Sequence, residues 1–300
     1  MKELKKILIC GLGAIGGYYA SKIFENKDLT LKILTDKNRL ARYKKEPRII
    51  NGKEYSFDYI LPDNNGFKPD LIIIATKAMG LDDAIKNIKN FVNNECIILS
   101  FLNGITSEDK ITNAYGDDKT LYSYLLGHTF FRKGNIITHD GNAKIIFGAN
   151  NKNDPKIEVL TEFFDKINVK YEVSDNIKKS LWEKFTFNCC ANQVSALTRK
   201  TFGEIKKSNN CITIMKNICN EVTEIARAEG IDSKDFWNIT LKSLDLMIPD
   251  GKTSMLQDVE SGNKTEVDIF GKTVTRLGEK HNISTPYNKV ISEIIESLHA

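Results

Sequence analysis

The chain has 300 residues, of which 41% are hydrophobic and 27% charged, a balance typical of a globular protein long enough for two domains. Its 43 basic and 39 acidic residues give a net charge of +4, and the lysines are spread along the chain, which argues against nucleic-acid binding. The sequence shows neither a signal-peptide pattern nor an apolar run of membrane-spanning length, so we expect a cytoplasmic protein without membrane contact.

The first half of the chain alternates short apolar runs with helical patterns. The runs predict strands over residues 6–10, 29–34, 70–75, 96–100 and 169–173, with helices over 14–26, 81–91 and 155–167. Near-continuous apolar strands separated by helices indicate a parallel sheet that is covered on both faces. Two further runs, 134–139 and 143–148, predict a hairpin around residues 140–142. We therefore expect an α/β domain over residues 1–174.

The second half of the chain carries helical patterns and no further strand. Gly230 and Pro249 act as helix stops, and Pro286 precedes the last helix. We expect an all-α domain over residues 175–300, and its long apolar helices are compatible with a homodimer. The predicted helices cover residues 176–192, 212–229, 234–247, 253–262, 266–281 and 287–298.

The cysteines and histidines do not form a metal-binding pattern. The sequence has no Cys-x-x-Cys pair and no histidine beside a cysteine at ligand spacing, so we expect no metal site. Two of the six cysteines lie in apolar runs that are predicted strands, which favours small core residues in a reduced protein over a disulfide framework. The six are Cys10, Cys96, Cys189, Cys190, Cys211 and Cys219.

A glycine motif directly follows the first predicted strand and opens the first helix. In a Gly-x-Gly-x-x-Gly turn the glycines permit a tight turn, close approach of a pyrophosphate and close helix–strand packing, while the helix start faces the anion. An acid, Asp36, lies twenty residues past the last glycine, near the end of the second strand. This context favours dinucleotide binding over a ligand-free glycine turn. The motif residues are Gly11, Leu12, Gly13, Ala14, Ile15 and Gly16.

Lys184, Asn188 and Asn192 recur at spacings of four in a predicted helix, which places them on one helical face. Asparagine is a weak helix former, so one amine and two carboxamides make a poor solvent face. The stripe would suit the wall of a polar pocket that binds a carboxylate or hydroxyl, but on these residues alone an exposed polar face is the favoured interpretation.

Two further segments carry candidate residues in the last third of the chain. Ser254 begins the predicted helix 253–262, and Glu266 begins the helix 266–281. A serine at a helix start is most often an N-cap, and a glutamate on a helix is usually solvated. Their interpretation as site residues depends on the resemblance that follows.

Six motifs together resemble the ketopantoate reductase family in order and spacing, over nearly the whole chain. The resemblance implies a Rossmann-type N-terminal domain, an all-α C-terminal domain like that of 6-phosphogluconate dehydrogenase, and an active site in the cleft between them. Besides the glycine motif, the matching segments are Thr76-Lys77-Ala78, Leu102-Asn103-Gly104, Leu181-Trp182-Glu183-Lys184 through Asn188, Ser254-Met255-Leu256-Gln257-Asp258 and Thr265-Glu266-Val267-Asp268.

The resemblance also implies roles for single residues. Lys184 would donate the proton to the keto oxygen, and Glu266 would lie beside the nicotinamide ribose and help order Lys184. The substrate's carboxylate and hydroxyl groups would be held by Asn188, Asn192 and Ser254. Lys77 and Asn103 would line the cofactor, with Asn103 also near the substrate.

The cofactor phosphate is where the sequence departs from the family. The family usually has an arginine at the end of the second strand that grips the 2′-phosphate of NADPH, and Asp36 takes this place here. An acid in this position normally accepts hydrogen bonds from the ribose hydroxyls of NADH. Lys37 or Arg39 could bind the phosphate instead. The resemblance therefore implies NADPH, whereas Asp36 favours NADH.

The resemblance implies reduction of 2-dehydropantoate (ketopantoate) to (R)-pantoate, a step towards pantothenate and coenzyme A. An NADH-dependent D-2-hydroxy-acid dehydrogenase for other branched 2-keto acids is the nearest alternative. Asp36 fits this alternative. In Thr201-Phe202-Gly203-Glu204 the chain also lacks the asparagine that the family often has before the Gly-Glu step, and the missing polar contact could alter substrate choice. A non-catalytic dinucleotide sensor is the third hypothesis, and the joint presence of Lys184 and Glu266 argues against it.

Overall fold

A computed structural model of the chain describes residues 2–127 and 130–298. The chain divides into two compact units, Met1–Ile177 and Lys178–Ala300. The first unit combines strands and helices, and the described part of the second contains helices only.

The described part of the first unit contains two sheets. Its strands in chain order are β1 (Lys6–Cys10), β2 (Thr30–Leu34), β3 (Arg48–Ile50), β4 (Lys53–Tyr55), β5 (Tyr59–Ile60), β6 (Leu71–Ile74), β7 (Ile97–Ser100), β8 (Thr120–Leu126), β9 (Phe130–Lys133), β10 (Ile136–His139), β11 (Lys144–Gly148) and β12 (Lys170–Val173). The eight-stranded sheet has the order β12-β11-β8-β7-β6-β1-β2-β5, and the four-stranded sheet has the order β4-β3-β10-β9. Among the described residues of the large sheet only β8 and β11 pair in antiparallel fashion.

Helices cover both faces of the large sheet, as the continuous apolar strands predict. Ile7 and Ile9 of β1 belong to the core on one face together with Tyr19, while Leu8 belongs with Leu81 to the core on the other. The helices of this unit are α1 (Ala14–Glu25), α2 (Lys37–Lys45), α3 (Leu81–Asn87), α4 (Ser107–Tyr115) and α5 (Pro155–Lys166).

The hairpin predicted around residues 140–142 is wrong. β10 pairs with β9 and β3 in the small sheet, whereas β11 pairs with β8 and β12 in the large one. Ile137 of β10 is fully buried beside α1, where a Cβ on Gly17 would lie 2.4 Å from its Cδ1 atom. Packing against α1 therefore decides the partner of β10, and Gly141 with a φ of 74° only turns the chain between the two sheets.

The described part of the second unit, residues 178–298, consists of helices joined by loops and turns. Its helices are α6 (Ile177–Thr198), α7 (Phe202–Lys207), α8 (Asn209–Ala228), α9 (Phe236–Asp245), α10 (Ser254–Glu260), α11 (Gly271–His281) and α12 (Pro286–Ser297). α6 runs six residues beyond its predicted end, and α7 was not predicted. Thr201 and Glu204 form a capping box at the start of α7, the signal that would have revealed it.

A buried polar network fixes α6 against α8 and α12. Both carboxylate oxygens of Glu221 accept backbone N–H groups at the start of α12, from Tyr287 at 2.8 Å and Asn288 at 3.0 Å. The Asn288 Oδ1 atom accepts a hydrogen bond from Nε2 of Gln193 on α6 at 3.0 Å. Because Glu221, Asn288 and Gln193 are buried, breaking one bond would leave polar groups unsatisfied, so the network holds α6 in one position.

Candidate active site

The glycine motif has the geometry of a phosphate-binding turn. Gly11 has a φ of 107°, and a Cβ there would lie 2.6 Å from the Ala75 carbonyl oxygen; a Cβ on Gly16 would lie 1.9 Å from the Gly11 oxygen. At Gly13, by contrast, a Cβ would meet no atom within 4 Å. Gly13 is the N-cap of α1, and no side chain caps this helix. The two crowded glycines thus close the turn, while the open one and the uncapped helix start fit a bound pyrophosphate.

Two threonine hydroxyls lie next to this turn. Thr35 follows β2 and Thr76 follows β6, the two neighbours of β1 in the sheet. The Oγ1 atoms of both are buried and have no hydrogen-bond partner in the described ranges. Buried hydroxyls are normally bonded, so this pair fits the polar groups of a ligand at the edge of the sheet.

The Asp36 carboxylate is engaged by its own helix. Asp36 follows β2 by two residues and is the N-cap of α2, where Oδ1 accepts the Arg39 backbone N–H at 2.7 Å. Its Oδ2 atom lies 3.4 Å from the Arg39 Nε atom, and about half of the side chain is exposed. Asp36 therefore combines a capping role with an ion pair, two interactions that the sequence analysis did not assign to it.

The remaining candidates of the first unit follow the next two strands. Lys77 is exposed and begins the 3-10 turn after β6, and Asn103 is half-buried after β7. Together with the glycine motif and Asp36 they lie past the carboxyl ends of the adjacent strands β2, β1, β6 and β7. Ligands of open parallel sheets bind at this edge.

A buried carboxyl group supports the loop that carries Asn103. Ser100 Oγ donates to Ser107 Oγ at 3.0 Å, and Ser107 Oγ donates to Oε2 of Glu108 at 2.8 Å. Glu108 is 1% exposed, and its Oε1 atom has no partner among the residues that the structure describes. Burial raises the pKa of Glu108 to about 7, although the Ser107 hydroxyl and nearby backbone N–H groups lower it in part.

In the second unit the predicted stripe lies on α6 and is not a solvated face. Lys184 and Asn188 are half-buried, and Asn192 is 6% exposed. The carboxamides of Asn188 and Asn192 form no hydrogen bond with any residue in ranges 2–127 and 130–298. Leu181 and Phe185 of the same helix are buried. A partly buried face with two available amides suits an oxygen-rich ligand.

Ser254 and Glu266 lie on two further segments of the second unit. Thr253, not Ser254, is the N-cap of α10, since its Oγ1 atom accepts the Leu256 N–H at 3.1 Å. Ser254 is the first residue of α10 and is exposed, so the capping explanation does not apply to it. Glu266 is half-buried and begins the 3-10 turn Val267–Ile269, where the sequence predicts the start of a helix.

Two further properties of the described chain bear on function. Across ranges 2–127 and 130–298, no three or more histidine, cysteine, aspartate or glutamate side chains are grouped to hold a metal ion. None of the helices in these ranges has the length and hydropathy needed to cross a bilayer.

Comparison with known proteins identifies the family. The family profile described as ketopantoate reductase PanE/ApbA matches residues 7–152, and the profile for the C-terminal domain of the same family matches residues 176–299. The chain belongs to the ketopantoate reductase family. The 2-dehydropantoate 2-reductase of Streptococcus pyogenes serotype M18 is 28% identical to this family member over 312 residues, covering 98% of each chain.

Solved structures share the fold of this ketopantoate reductase family member. D-mandelate dehydrogenase with NADH and anilino(oxo)acetate is 22% identical, covers 98% of each chain and has a TM-score of 0.86. A dimeric ketopantoate reductase from Staphylococcus aureus is 19% identical, covers 98% of each chain and has a TM-score of 0.76. These matches confirm the predicted fold class, a Rossmann-type domain followed by an all-α domain.

Proposed function

We propose that this oxidoreductase reduces 2-dehydropantoate to (R)-pantoate, a step towards pantothenate and coenzyme A. The observation that carries the proposal is the α6 stripe, an amine and two unbonded carboxamides on one partly buried face. The 28% identity to a 2-dehydropantoate 2-reductase over 98% of both chains supports the same reaction.

The chemistry of the reduction suits the side chains of the second unit. A nicotinamide cofactor supplies hydride to the carbonyl carbon, and negative charge develops on the carbonyl oxygen. The Lys184 ammonium stabilises that oxygen and donates a proton to it, an effect typically worth roughly 10²–10⁴-fold in rate. Glu266 keeps the Lys184 amine charged and directed at the substrate. The substrate's carboxylate and hydroxyl groups are held by Asn188, Asn192 and Ser254.

The cofactor in this proposal is NADPH. Gly13 leaves open space at the uncapped start of α1, which fits the pyrophosphate. Lys77 and Asn103 line the rest of the site. Asp36 alone would repel a 2′-phosphate and favour NADH, but the ion pair with Arg39 offsets its charge. Family membership and this ion pair together support the phosphorylated cofactor.

A D-2-hydroxy-acid dehydrogenase is the second candidate, and one observation favours it. Phe202 occupies a position where the family often has asparagine, and its ring stacks on Phe187 with centroids 6.4 Å apart. A phenylalanine in place of asparagine removes a polar contact, which favours a more apolar 2-keto acid than ketopantoate. The shared fold with D-mandelate dehydrogenase agrees with this alternative.

The two candidates are separated by the rate of cofactor oxidation at 340 nm. Purified protein is assayed with NADPH and NADH in turn, against ketopantoate, 2-ketoisovalerate and 2-ketoisocaproate. We expect the highest kcat/KM with ketopantoate and NADPH. Higher kcat/KM for the simpler keto acids would identify the hydroxy-acid dehydrogenase, and binding of cofactor without oxidation of any substrate would favour a sensor.

We also propose that the protein forms a homodimer through α12. The outer face of this helix exposes apolar side chains at spacings of three and four, while Ile291 and Ile295 pack inside. Such a stripe on a helix end usually meets another protein surface. The dimeric relative from Staphylococcus aureus makes a second copy the favoured occupant. The exposed residues are Tyr287, Val290, Ile294 and Leu298.

A further inference from the structure

A buried arginine lies against the glycine motif in the first unit. Arg48, the first residue of β3, is 2% exposed. Its Nη2 atom donates to the carbonyl oxygen of Leu12, inside the motif, and Nη1 donates to the Gly134 oxygen, both at 3.3 Å. The guanidinium also lies over the Tyr43 ring, 4.6 Å from the centroid. Arg48 therefore connects the small sheet to the turn that fits a pyrophosphate.

The charge of Arg48 has no carboxylate partner among the described residues. Its Nε atom is buried without a hydrogen-bond partner, and no carboxylate in the described part of the chain forms an ion pair with it. A buried charge is costly unless an opposite charge accompanies it, and two long bonds to neutral carbonyls compensate only in part. The arrangement is that of a cation whose counter-ion is a ligand.

A second arginine reaches the same carbonyl group. Arg132 of β9 donates from Nε to the Gly134 oxygen at 3.0 Å, so two guanidiniums share one acceptor. Partial burial lowers the pKa of Arg132, and the positive charges of Arg48, Arg42 and Arg39 lower it further. Like charges held this close repel one another, and an anion between them would relieve the repulsion.

The neighbouring helix supplies no spare acid. α2 carries five basic residues and no acidic one between Lys37 and Lys45, and the carboxylate at its N-cap, Asp36, is already paired with Arg39. The basic residues of α2 therefore add to the positive charge that Arg48 and Arg132 place near Leu12.

We propose that Arg48 and Arg132 bind a phosphate group of the dinucleotide next to Leu12 of the glycine motif. The inference deepens the proposed function and rests on its nucleotide site. Guanidiniums match phosphate oxygens in geometry and charge, so Arg48 positions the motif and the phosphate with one side chain. The group is either the pyrophosphate, present in both NADH and NADPH, or the 2′-phosphate, present only in NADPH.

The test is the dissociation constant of each dinucleotide, measured by calorimetry on the full chain. Arg132→Gln removes the exposed member of the pair, and Lys133→Gln removes one positive charge from the next residue of the same strand. Since bonds to charged groups contribute strongly, we expect Arg132→Gln to weaken binding roughly 10-fold or more and Lys133→Gln to change it less than about 2-fold. If Arg132→Gln binds both dinucleotides more weakly, the bound group is the pyrophosphate. If it binds only NADPH more weakly, the bound group is the 2′-phosphate.

Equal affinities in Arg132→Gln, Lys133→Gln and wild type would overturn the proposal. Arg48→Gln is the second variant, and its folding is checked by circular dichroism and Tm. A folded Arg48→Gln protein that binds both dinucleotides as tightly as wild type would also overturn it. Because binding is measured without a keto acid, failure of the reductase function leaves this result intact. A wild-type protein that binds neither dinucleotide would refute both proposals.

Discussion

Replacing Glu108 by glutamine removes the buried carboxyl group behind the Asn103 loop and keeps its shape. The structure raises the pKa of this group from 4.5 to about 7, mainly by burial, with Asp109 raising it slightly further. The folded chain holds the Glu108 proton more tightly than the unfolded chain, and the stability that this adds is fully present below pH 4.5. That stability is lost as the pH rises to about 7, because the unfolded carboxyl ionises first.

The size of this effect follows from the shift. The pKa of Glu108 is higher by about 2.5 in the folded chain, and each pKa unit corresponds to roughly 1.4 kcal/mol. The free energy of unfolding of wild type should therefore fall by about 3 kcal/mol between pH 4.5 and pH 8. Glutamine stays neutral, so we expect the difference in unfolding free energy between Glu108→Gln and wild type to rise by about this amount over the same range.

Urea denaturation at pH 5, 6, 7 and 8, followed by circular dichroism, measures the difference. Glu95→Gln is the matched control, because Glu95 is an exposed glutamate of the same unit and its change should leave the pH profile as in wild type. A Glu108→Gln profile that runs parallel to wild type over the whole range would refute the assignment of a buried, protonated carboxyl group.

Four further substitutions test the nucleotide site and the dimer. Gly13→Ala should weaken dinucleotide binding without changing Tm, because the added Cβ meets no protein atom within 4 Å. Gly16→Ala should lower Tm, because its Cβ would lie 1.9 Å from the Gly11 oxygen. Equal losses of Tm in the two variants would contradict this difference. Asp36→Arg should raise the ratio of kcat/KM for NADPH to that for NADH, and an unchanged ratio would mean that the acid does not contact the ribose. Val290→Glu should convert a dimer into a monomer in light scattering, and an unaltered mass would place the interface elsewhere.

The sheet around the glycine motif could be predicted because its strands are buried on both faces. β1, β6 and β7 are continuous apolar runs, and their predicted positions agree with the structure to within one residue at each end. The short strands β3 and β4 carry charged residues and could not be recognised by pattern. The wrong hairpin has the same origin, because long-range packing of Ile137 on α1 determines the pairing of β10.

The candidate site residues also divide into those that local sequence pattern predicts and those that depend on tertiary packing. Helical periodicity was enough to place Lys184, Asn188 and Asn192 on one face, but their partial burial depends on tertiary packing. Arg48 and Glu108 were missed because charged residues are usually exposed, and nothing local in the sequence indicates that these two are buried. Thr35 lies next to Asp36 in sequence, but only the structure shows that its hydroxyl has no partner among the described residues.

In the proposed reaction Lys184 donates the proton to a keto acid. The most direct test is the rate of NADPH oxidation with ketopantoate in wild type, Lys184→Ala and Lys216→Ala, the last an exposed lysine on α8. We predict that kcat falls by roughly 100-fold or more in Lys184→Ala alone, while the Kd of NADPH stays within about twofold in all three. A Lys184→Ala enzyme that keeps most of its kcat would contradict the mechanism.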